Sequence, residues 1–425
     1  MTEWPSNFSM VMDNSKIKEY LLSHFKNIFK QPTENIKYPF LVPGQGYSNE
    51  LWGWDSYWEA VSLRSAFDVF SPEQMAQAGV GLDTVKKHIC GCVLDFLDAE
   101  EEDGFIPIMV ADGGLFDGFF KSEHAKGTPL NQHLPFLCQS ALCASEFCAS
   151  YDWFDVDKLI KYMRYFEARQ YDVNSGLFFW QDDVMIGIDN NPTVFYRPKK
   201  SGADIFLNSF MYLEYLSLAE ILKRLKDGRE AEMRSKANAL KTAINSEMWD
   251  ERDGIYYSQD LGQTRNVCVV KGVALHSGLD PHWKTMPLKI RFWACFLPMY
   301  AGICSNEQAD KMCRHLTDND DLFARYGLRT LAKNEKMYSL AKSQGNPSNW
   351  LGAVWVIANY CVYKGLVSYG KTELADKLKT ATLNLLNKNL EENGDFFESY
   401  NPDDGSPFMH AGFLSHNLPV VEMLK

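Results

Sequence analysis

Residues 174–180 read Asn-Ser-Gly-Leu-Phe-Phe-Trp, a polar turn with a glycine and then a short aromatic run. The same pattern returns at Glu-Asp-Gly-Phe-Ile-Pro-Ile (102–108), Arg-Asp-Gly-Ile-Tyr-Tyr-Ser (252–258) and Glu-Asn-Gly-Asp-Phe-Phe-Glu (392–398). Each copy follows a segment with helical apolar spacing, and its glycine permits the positive φ of a tight turn. Such repeats indicate helical hairpins arranged around an axis, with equivalent loops at one end. Trp180 and Glu398, each four positions after the glycine, would then belong to the same rim.

The flanking sequence predicts the helices of these hairpins. Apolar residues recur at i, i+3, i+4 and i+7 in twelve segments, at 15–29, 55–70, 82–99, 131–149, 156–169, 202–224, 229–248, 288–300, 305–316, 348–364, 371–387 and 411–424. No long alternating run predicts a large sheet. We therefore predict a mainly α chain, a single (α/α)6 toroid over residues 1–425, with short β-hairpin inserts at the rim of a central pocket. Residues 1–40 are predicted to pack on this barrel as an N-terminal extension.

Charge and composition restrict the partners and the compartment. The formal net charge of −12 argues against nucleic acid or an anionic membrane, because an acidic surface gains no counterion release from either. No 18 apolar residues run together as a membrane span would require, and the N-terminus lacks the pattern of a signal peptide. Most of the ten cysteines lie in apolar helical runs, as reduced thiols do. We expect a cytoplasmic protein; its oligomeric state, a homo-oligomer included, stays open.

Metal and cofactor sites are not indicated. Cys90 and Cys92, with His88 nearby, form the one tight cluster of metal-ligating types, but no second Cys/His pair lies at zinc-ligand spacing. Asp-x-x-x-Gly turns recur, yet they lack the spacing of a calcium-binding EF-hand loop. No phosphate loop or dinucleotide fingerprint is present. We expect no cofactor.

The segment that follows the aromatic run is the first candidate site. After Trp180 the chain carries Asp182, Asp183 and Asp189, with the small Gly187 between them. Aromatic rings stack on sugar faces, and glycosidic bonds are cut by pairs of carboxyl groups. The segment therefore fits a sugar site; a turn with solvated acids is the alternative.

A second candidate opens the second predicted helix, in Leu-Trp-Gly-Trp-Asp-Ser-Tyr-Trp (51–58). Asp55 near a helix N-terminus fits a simple cap, but a cap does not require three tryptophans within seven residues. We favour a sugar platform formed by Trp52 and Trp54, with Asp55 accepting hydrogen bonds from substrate hydroxyls.

Three further positions are candidates. Gln132, with His133 beside it, is predicted at the mouth of the fourth helix, and Trp350 at the start of the tenth; each fits a ligand contact as well as capping or solvation. Glu398 lies between Phe397 and Tyr400, and partial desolvation of this kind tunes a carboxyl pKa for acid/base work. A surface glutamate beside a turn is the alternative there.

Four motifs in this order resemble a known family. They are Trp-Gly-Trp-Asp-Ser-Tyr-Trp (52–58), Gly-Ile-Asp-Asn-Asn-Pro (187–192), Asn-Trp-Leu-Gly-Ala-Val-Trp (349–355) and Glu-Ser-Tyr-Asn-Pro-Asp-Asp-Gly (398–405). The set resembles glycoside hydrolase family 63 and its trehalase relatives over residues 40–420. The resemblance implies an inverting, exo-acting α-glycosidase on an (α/α)6 barrel, with a small α-glucoside, α-mannoside or glycosyl-glycerate as substrate.

The resemblance also implies residue roles. Asp189 would be the general acid and Glu398 the general base, Trp54 and Asp55 would bind sugar, and Gln132 and Trp350 would line subsites. The chain departs from the family at Leu351, where arginine is usual, and at Ala353, where proline is usual. An acidic, glycerate-type leaving group is therefore not assumed.

Two other functions remain compatible with the sequence. A sugar epimerase or isomerase on the same toroid would use His133, His410 or His416 as acid and base. A non-catalytic carbohydrate-binding or scaffold protein would place Asp189 and Glu398 far apart on an open superhelix. The partner we expect is a small carbohydrate.

Overall fold

The computed structural model describes residues 14–262, 269–275, 284–318, 321–342 and 346–425. Helices dominate this part of the chain. They are α1 Ser15–His24, α2 Gly53–Ala66, α3 Pro72–Gln77, α4 Leu82–Asp98, α5 Phe119–Ala125, α6 Leu137–Cys148, α7 Val156–Arg169, α8 Ile205–Leu225, α9 Glu230–Ala243, α10 Leu297–Tyr300, α11 Asn306–Thr317, α12 Val356–Ser368, α13 Thr372–Asn393 and α14 Val420–Met423. Short 3-10 turns span Phe25–Ile28 and Trp293–Phe296, and a π turn spans Ile244–Met248.

The strands are short, and those in the described residues pair antiparallel. They are β1 Phe29–Lys30, β2 Phe40–Leu41, β3 Glu50–Trp52, β4 Met109–Ala111, β5 Tyr171–Asp172, β6 Leu177–Phe178, β7 Gly202–Ala203, β8 Trp249–Asp250, β9 Ile255–Tyr256, β10 Gln259–Asp260, β11 Val269–Val270, β12 Val273–Ala274, β13 Met286–Pro287, β14 Phe323–Ala324 and β15 Gly327–Leu328. β13, β10 and β7 form one three-stranded sheet; the other sheets are pairs. The prediction of a mainly α chain with small β inserts is confirmed.

The repeated turn is a real structural unit. Its four glycines, Gly104, Gly176, Gly254 and Gly394, all have positive φ, between 69° and 94°. The copies at 174–180 and 252–258 form hairpins, β5–β6 and β8–β9, whereas the other two form turns after α4 and α13. The sequence pattern therefore marks the same backbone conformation after four different helices.

Four predicted helices begin much later than expected. The segments predicted at 131, 288, 348 and 411 become helical only at Leu137, Leu297, Val356 and Val420. Glycines with positive φ interrupt two of them, Gly352 at +142° and Gly412 at +72°, and a proline precedes or opens the others. Most of their apolar residues are buried in non-helical loops or, at 293–296, in a 3-10 turn, so the periodic pattern is present there without an α-helix. The short helices α3 and α5 were not predicted.

Contacts between helices determine where the loops meet. Six helices contact one another in succession, in the order α2, α6, α8, α10, α12 and α14, and α14 contacts α2 again. α4, α9 and α13 pack on members of this series, and α1 packs on α13. The irregular segments before α2, α6, α8, α12 and α14 contain most of the predicted site residues.

One helix in the described part of the chain, α8, is long and apolar enough to cross a membrane by length and composition alone. However, 78% of its most apolar window is buried by the rest of the protein. Asn208 and Glu214 on this helix are fully buried and hydrogen-bonded to neighbouring segments. These are the properties of a core helix.

Candidate active site

Asp189 lies in an irregular loop that is attached to the loop before α12. The neighbouring Asn190 donates from Nδ2 to Asn349 Oδ1 at 3.2 Å, and its Oδ1 accepts the backbone N–H of Trp350 at 2.7 Å. Asn349 in turn accepts the N–H of Leu351 at 2.8 Å. These hydrogen bonds join two segments far apart in sequence and fix the carboxyl of Asp189 beside residues 346–350.

The environment of Asp189 favours its protonated form. Asp189 as a whole residue is partly exposed, whereas protein atoms surround its carboxyl. Burial raises the pKa of Asp189 to about 6, the negative charge of Glu398 acts in the same direction, and polar side chains of the 346–348 segment oppose both. A carboxyl that titrates near neutral pH can donate a proton to a substrate.

Asp182 and Asp183 are near Asp189 in the sequence, but their carboxyls interact with other groups. Asp182 forms an ion pair with Lys199 Nζ at 2.5 Å, and Asp183 accepts the backbone N–H of Tyr196 at 3.1 Å. Glu398 supplies the like charge instead. The two carboxyls that the sequence singled out are therefore close enough to interact electrostatically.

Glu398 follows the last repeated turn and is 7% exposed. Its Oε2 lies 2.7 Å from Nδ1 of His410, a half-exposed side chain. The hydrogen bond with Glu398 raises the pKa of His410. Tyr47 approaches the same imidazole, with its hydroxyl 3.3 Å from Nδ1. Glu398 is thus a buried carboxylate connected to solvent through a histidine.

Asp55 lies in the first turn of α2 but does not act as its cap, because Trp52 is the N-cap residue and makes no side-chain capping bond. Asp55 is 4% exposed. Its Oδ1 accepts the Ser415 hydroxyl at 2.5 Å and lies 3.3 Å from His416 Nε2. Asp55 therefore faces the loop before α14, not its own helix.

Three indole rings pack together beside these groups. Trp54 meets His416 edge-on at 4.6 Å between ring centroids and Trp350 at 5.9 Å. Trp350 stacks on Trp355 at 4.0 Å. A Cβ at Gly187 would lie 2.9 Å from a methyl group of Leu134 and 3.5 Å from the Trp54 ring. Gly187 is thus required for close packing of the Asp189 loop on Trp54.

Four other candidate residues make hydrogen bonds within the protein. Gln132 and His133 precede α6 in a loop and are buried; Gln132 donates to the Tyr162 carbonyl at 3.3 Å. Burial lowers the pKa of His133 to about 4. Trp180 is buried and donates to Asp204 at 3.1 Å, and Trp52 donates to Glu50 at 2.9 Å. These contacts are internal to the protein.

Sequence reasoning missed three residues near the site. Burial, and then the negative charges of Glu398, Asp55 and Asp189, raise the pKa of Tyr47. The neighbouring Gly44 and Gly46, both with positive φ, are the sequence feature that could have drawn attention to Tyr47. Asp204 is fully buried and accepts hydrogen bonds that hold the Asp189 loop; its position before α8 carried no signal. His416 was considered only as an epimerase base.

A cavity of about 390 Å³ lies next to the segments that carry the two carboxyls, although neither carboxyl lines it. Pro347, Phe397 and His410 contribute to its walls; Pro347 belongs to the 346–348 segment beside Asp189, and Phe397 precedes Glu398. Within the described residues no group of three or more His, Cys, Asp or Glu side chains could hold a metal ion. Cys90 faces Cys148 at 3.5 Å between sulfur atoms, whereas Cys92 accepts the N–H of Leu41, so the two do not converge.

The comparisons with known proteins agree with this chemistry. Residues 144–416 match the model of the mannosylglycerate hydrolase MGH1-like glycoside hydrolase domain. The chain belongs to that family. It is a glycoside hydrolase of the family 63, trehalase-like type. Membership excludes the epimerase and the non-catalytic binding protein as the main function.

Solved structures share the fold across almost the whole chain. A family 63 mannosylglycerate hydrolase from Thermus thermophilus in complex with glucose is 18% identical, with 96% of this chain and 98% of that chain covered and a TM-score of 0.66. The complex of that enzyme with Tris and D-glycerate is 17% identical, with 97% of this chain and 98% of that chain covered and a TM-score of 0.66. Neutral trehalase from Saccharomyces cerevisiae is 17% identical, with 91% of this chain and 74% of that chain covered and a TM-score of 0.58. At these identities the likeness concerns the fold.

Proposed function

We propose that this glycoside hydrolase is an inverting, exo-acting α-glycosidase for a small α-glucoside or α-mannoside, with Asp189 as general acid and Glu398 as general base. The observation that supports the proposal is a chain of contacts: Asn190, next to Asp189, holds the backbone of Trp350, and Trp350 lies 5.9 Å from Trp54. The charge of Glu398 also acts on the pKa of Asp189. We propose that the indoles of Trp54, Trp350 and Trp355 and these two carboxyls bound one site, the indole-walled pocket. Their environments differ: burial raises the pKa of Asp189 to about 6, so it keeps its proton to a higher pH than an ordinary aspartate, and Glu398 is hydrogen-bonded to His410. Acid and base roles are divided in this way in glycosidases.

The reaction uses each group once. Asp189 gives its proton to the glycosidic oxygen as the bond from that oxygen to the anomeric carbon breaks. Glu398 takes a proton from a water molecule, which attacks the anomeric carbon from the opposite face. Products are the sugar with inverted anomeric configuration and the free alcohol. Glu398 then passes its proton to solvent through His410, and Asp189 is reprotonated.

We propose further that residues 1–425 form one catalytic domain, an (α/α)6 toroid with α2, α6, α8, α10, α12 and α14 as its inner helices. The series of contacts that leaves α2 and returns to it through α14 supports this arrangement. The contact of α1 with α13 and the pairing of β1 with β2 support packing of the N-terminal extension on the barrel. The described part of that extension begins at residue 14.

The indole-walled pocket receives the terminal hexose, and the 390 Å³ cavity beside Pro347 and Phe397 receives the leaving group. The cavity is a reasonable volume for a small ligand. It opens toward solvent at His410 and Lys342. An exo-acting enzyme requires this order, a closed site for the sugar and an open one for the departing alcohol.

A panel of α-linked disaccharides, glucosylglycerate and mannosylglycerate, followed by proton NMR, tests the proposal. The first-formed sugar should be the β anomer. Asp189→Asn and Glu398→Gln should each lower kcat/KM by about 10²–10⁴-fold, the usual contribution of one acid or base. Retention of the α anomer would contradict the inverting mechanism.

Asp183→Asn is the matched control, since Asp183 lies in the same loop and accepts a hydrogen bond from the backbone of Tyr196. It should keep most of the activity. Thermal unfolding of each variant should confirm that the fold is retained. Full activity of Asp189→Asn would refute the assignment of the acid.

A further inference from the structure

His416 lies among the indole rings of Trp54, Trp350 and Trp355. It is 4% exposed. Four rings enclose it, with centroid distances of 4.6 Å to Trp54, 5.1 Å to Phe413, 5.6 Å to Trp355 and 6.3 Å to Trp350. This enclosure holds the imidazole in one orientation, so its two nitrogen atoms have fixed directions.

Neither of those nitrogen atoms has a hydrogen-bond partner among the described residues, and both are buried. Nε2 lies 3.3 Å from Asp55 Oδ1 but is not aligned with it as a hydrogen bond. The other buried histidines differ, because Nδ1 of His133 and of His88 each lies 2.7 Å from a backbone carbonyl. A buried polar atom without a partner costs about 1–3 kcal/mol, so such atoms generally meet a ligand or water.

The position of His416 fits a ligand contact. Its Nε2 lies 3.3 Å from Asp55 Oδ1, and it is near enough to Asp189 to act on the pKa of that carboxyl. Ser415, the preceding residue, already donates to Asp55. A sugar bound between the indoles would meet His416 and Asp55 together.

We infer that His416 is a sugar-binding residue which, paired with Asp55, brackets one hydroxyl group of the terminal hexose and selects the hexose by the orientation of that hydroxyl. The inference rests on the proposed function. A hydroxyl is both donor and acceptor, so it donates to the Asp55 carboxylate and accepts from an imidazole N–H. A hexose with that hydroxyl absent or inverted leaves both groups unpaired.

Binding of monosaccharides tests this without turnover. Trp54, Trp350 and Trp355 surround the site, so intrinsic tryptophan fluorescence should report occupancy. We would titrate the full-length enzyme with glucose, mannose and their 2-, 3-, 4- and 6-deoxy analogues. The wild-type enzyme should bind one deoxy analogue about 10–100-fold more weakly than its parent, which is the usual loss when a buried hydrogen-bonding group stays unpaired.

Two substitutions distinguish the effect of the imidazole nitrogen atoms on binding from the effect of the aromatic ring. His416→Phe keeps an aromatic ring, so the penalty for that one analogue should disappear while the other analogues keep their wild-type order. His416→Asn keeps a donor and should retain part of the penalty. His88→Phe, at a buried histidine of α4, is the matched control and should leave all ratios unchanged.

Three results would overturn the inference: an unchanged penalty in His416→Phe, an equal loss of affinity for every sugar, or no saturable binding of glucose or mannose by the wild type. Hydrolysis of α-glucosyl and α-mannosyl fluoride is measured separately, because these substrates need no leaving-group site. Loss of discrimination in His416→Phe together with no fluoride hydrolysis refutes the proposed function alone. Fluoride hydrolysis with unchanged discrimination refutes the inference alone.

Discussion

Replacement of Glu59 by glutamine should stabilise the protein increasingly as pH rises. Glu59 lies one helical turn after Asp55 in α2, is fully buried, and has no hydrogen-bond partner on either oxygen among the described residues. Burial first, and then the charge of Asp55, raises the pKa of Glu59 well above its usual value of 4.5. Between the unfolded and folded pKa values the folded state holds a proton that the unfolded chain has lost. The free energy of unfolding therefore falls with rising pH in that window.

The free energy of unfolding of the parent should fall by about 1.4 kcal/mol for each pH unit in this window, because one proton is linked to folding. Glutamine at position 59 does not titrate, so this loss is absent in the variant. For 425 residues, an unfolding entropy of about 2.1 cal/mol/K per residue amounts to roughly 0.9 kcal/mol/K. The Tm of Glu59→Gln relative to the parent should thus rise by about 1.5 °C per pH unit above pH 5.

Thermal unfolding of both proteins by circular dichroism from pH 5 to pH 8 measures this difference. Glu214→Gln is the control, because burial raises the pKa of Glu214 to about 7 and its oxygens accept from Cys138 N at 2.8 Å and Gln139 at 3.4 Å. The Tm of Glu214→Gln relative to the parent should be lower at pH 5 than that of Glu59→Gln, because hydrogen bonds are disturbed. It should stop rising near pH 7, where Glu214 of the folded parent also loses its proton. A Tm difference for Glu59→Gln that does not change with pH would refute the reasoning.

Three further outcomes are expected. Above pH of about 6, the pKa of Asp189, kcat/KM should fall tenfold per pH unit as the general acid loses its proton; a pH–rate profile with no such limb argues against Asp189 as the acid. Asp204→Ala leaves three buried donors unpaired and should lower Tm by about 3 °C or more at about 1 kcal/mol each, measured by calorimetry. Gly187→Ala places a Cβ at positive φ 2.9 Å from Leu134 and 3.5 Å from Trp54; it should cost about 1–2 kcal/mol and raise KM, whereas an unchanged KM would separate Gly187 from substrate binding.

Much of the architecture was predictable because it depends on local chemistry. The helices at 156–169 and 305–316 have one apolar face and clear N-terminal caps at Asp155 and Ser305, and their bounds follow within a residue. The repeated glycines mark turns that only a residue tolerant of positive φ adopts readily. The family 63 resemblance, carried by four short motifs, is confirmed by the family match. The catalytic roles of Asp189 and Glu398 stay a prediction.

Other features depend on contacts that local spacing cannot encode. The loops before α6, α12 and α14 look helical in sequence because neighbouring helices bury their apolar residues from several sides. Gln132 and Trp180 have the composition of a sugar site. The Trp180 indole donates to Asp204 and Nε2 of Gln132 donates to the Tyr162 carbonyl, whereas Oε1 of Gln132 has no hydrogen-bond partner among the described residues.

The sequence by itself determined the helical repeats, the positions of the acidic and aromatic motifs and the family, since each depends on residues near one another in the chain. Only the tertiary structure decided that Glu398 raises the pKa of Asp189, that His416 faces Asp55, and that Glu59 is buried without a partner. The physical reason is that desolvation and charge–charge interactions depend on distance in space, which is set when the loops before α2, α8, α12 and α14 meet.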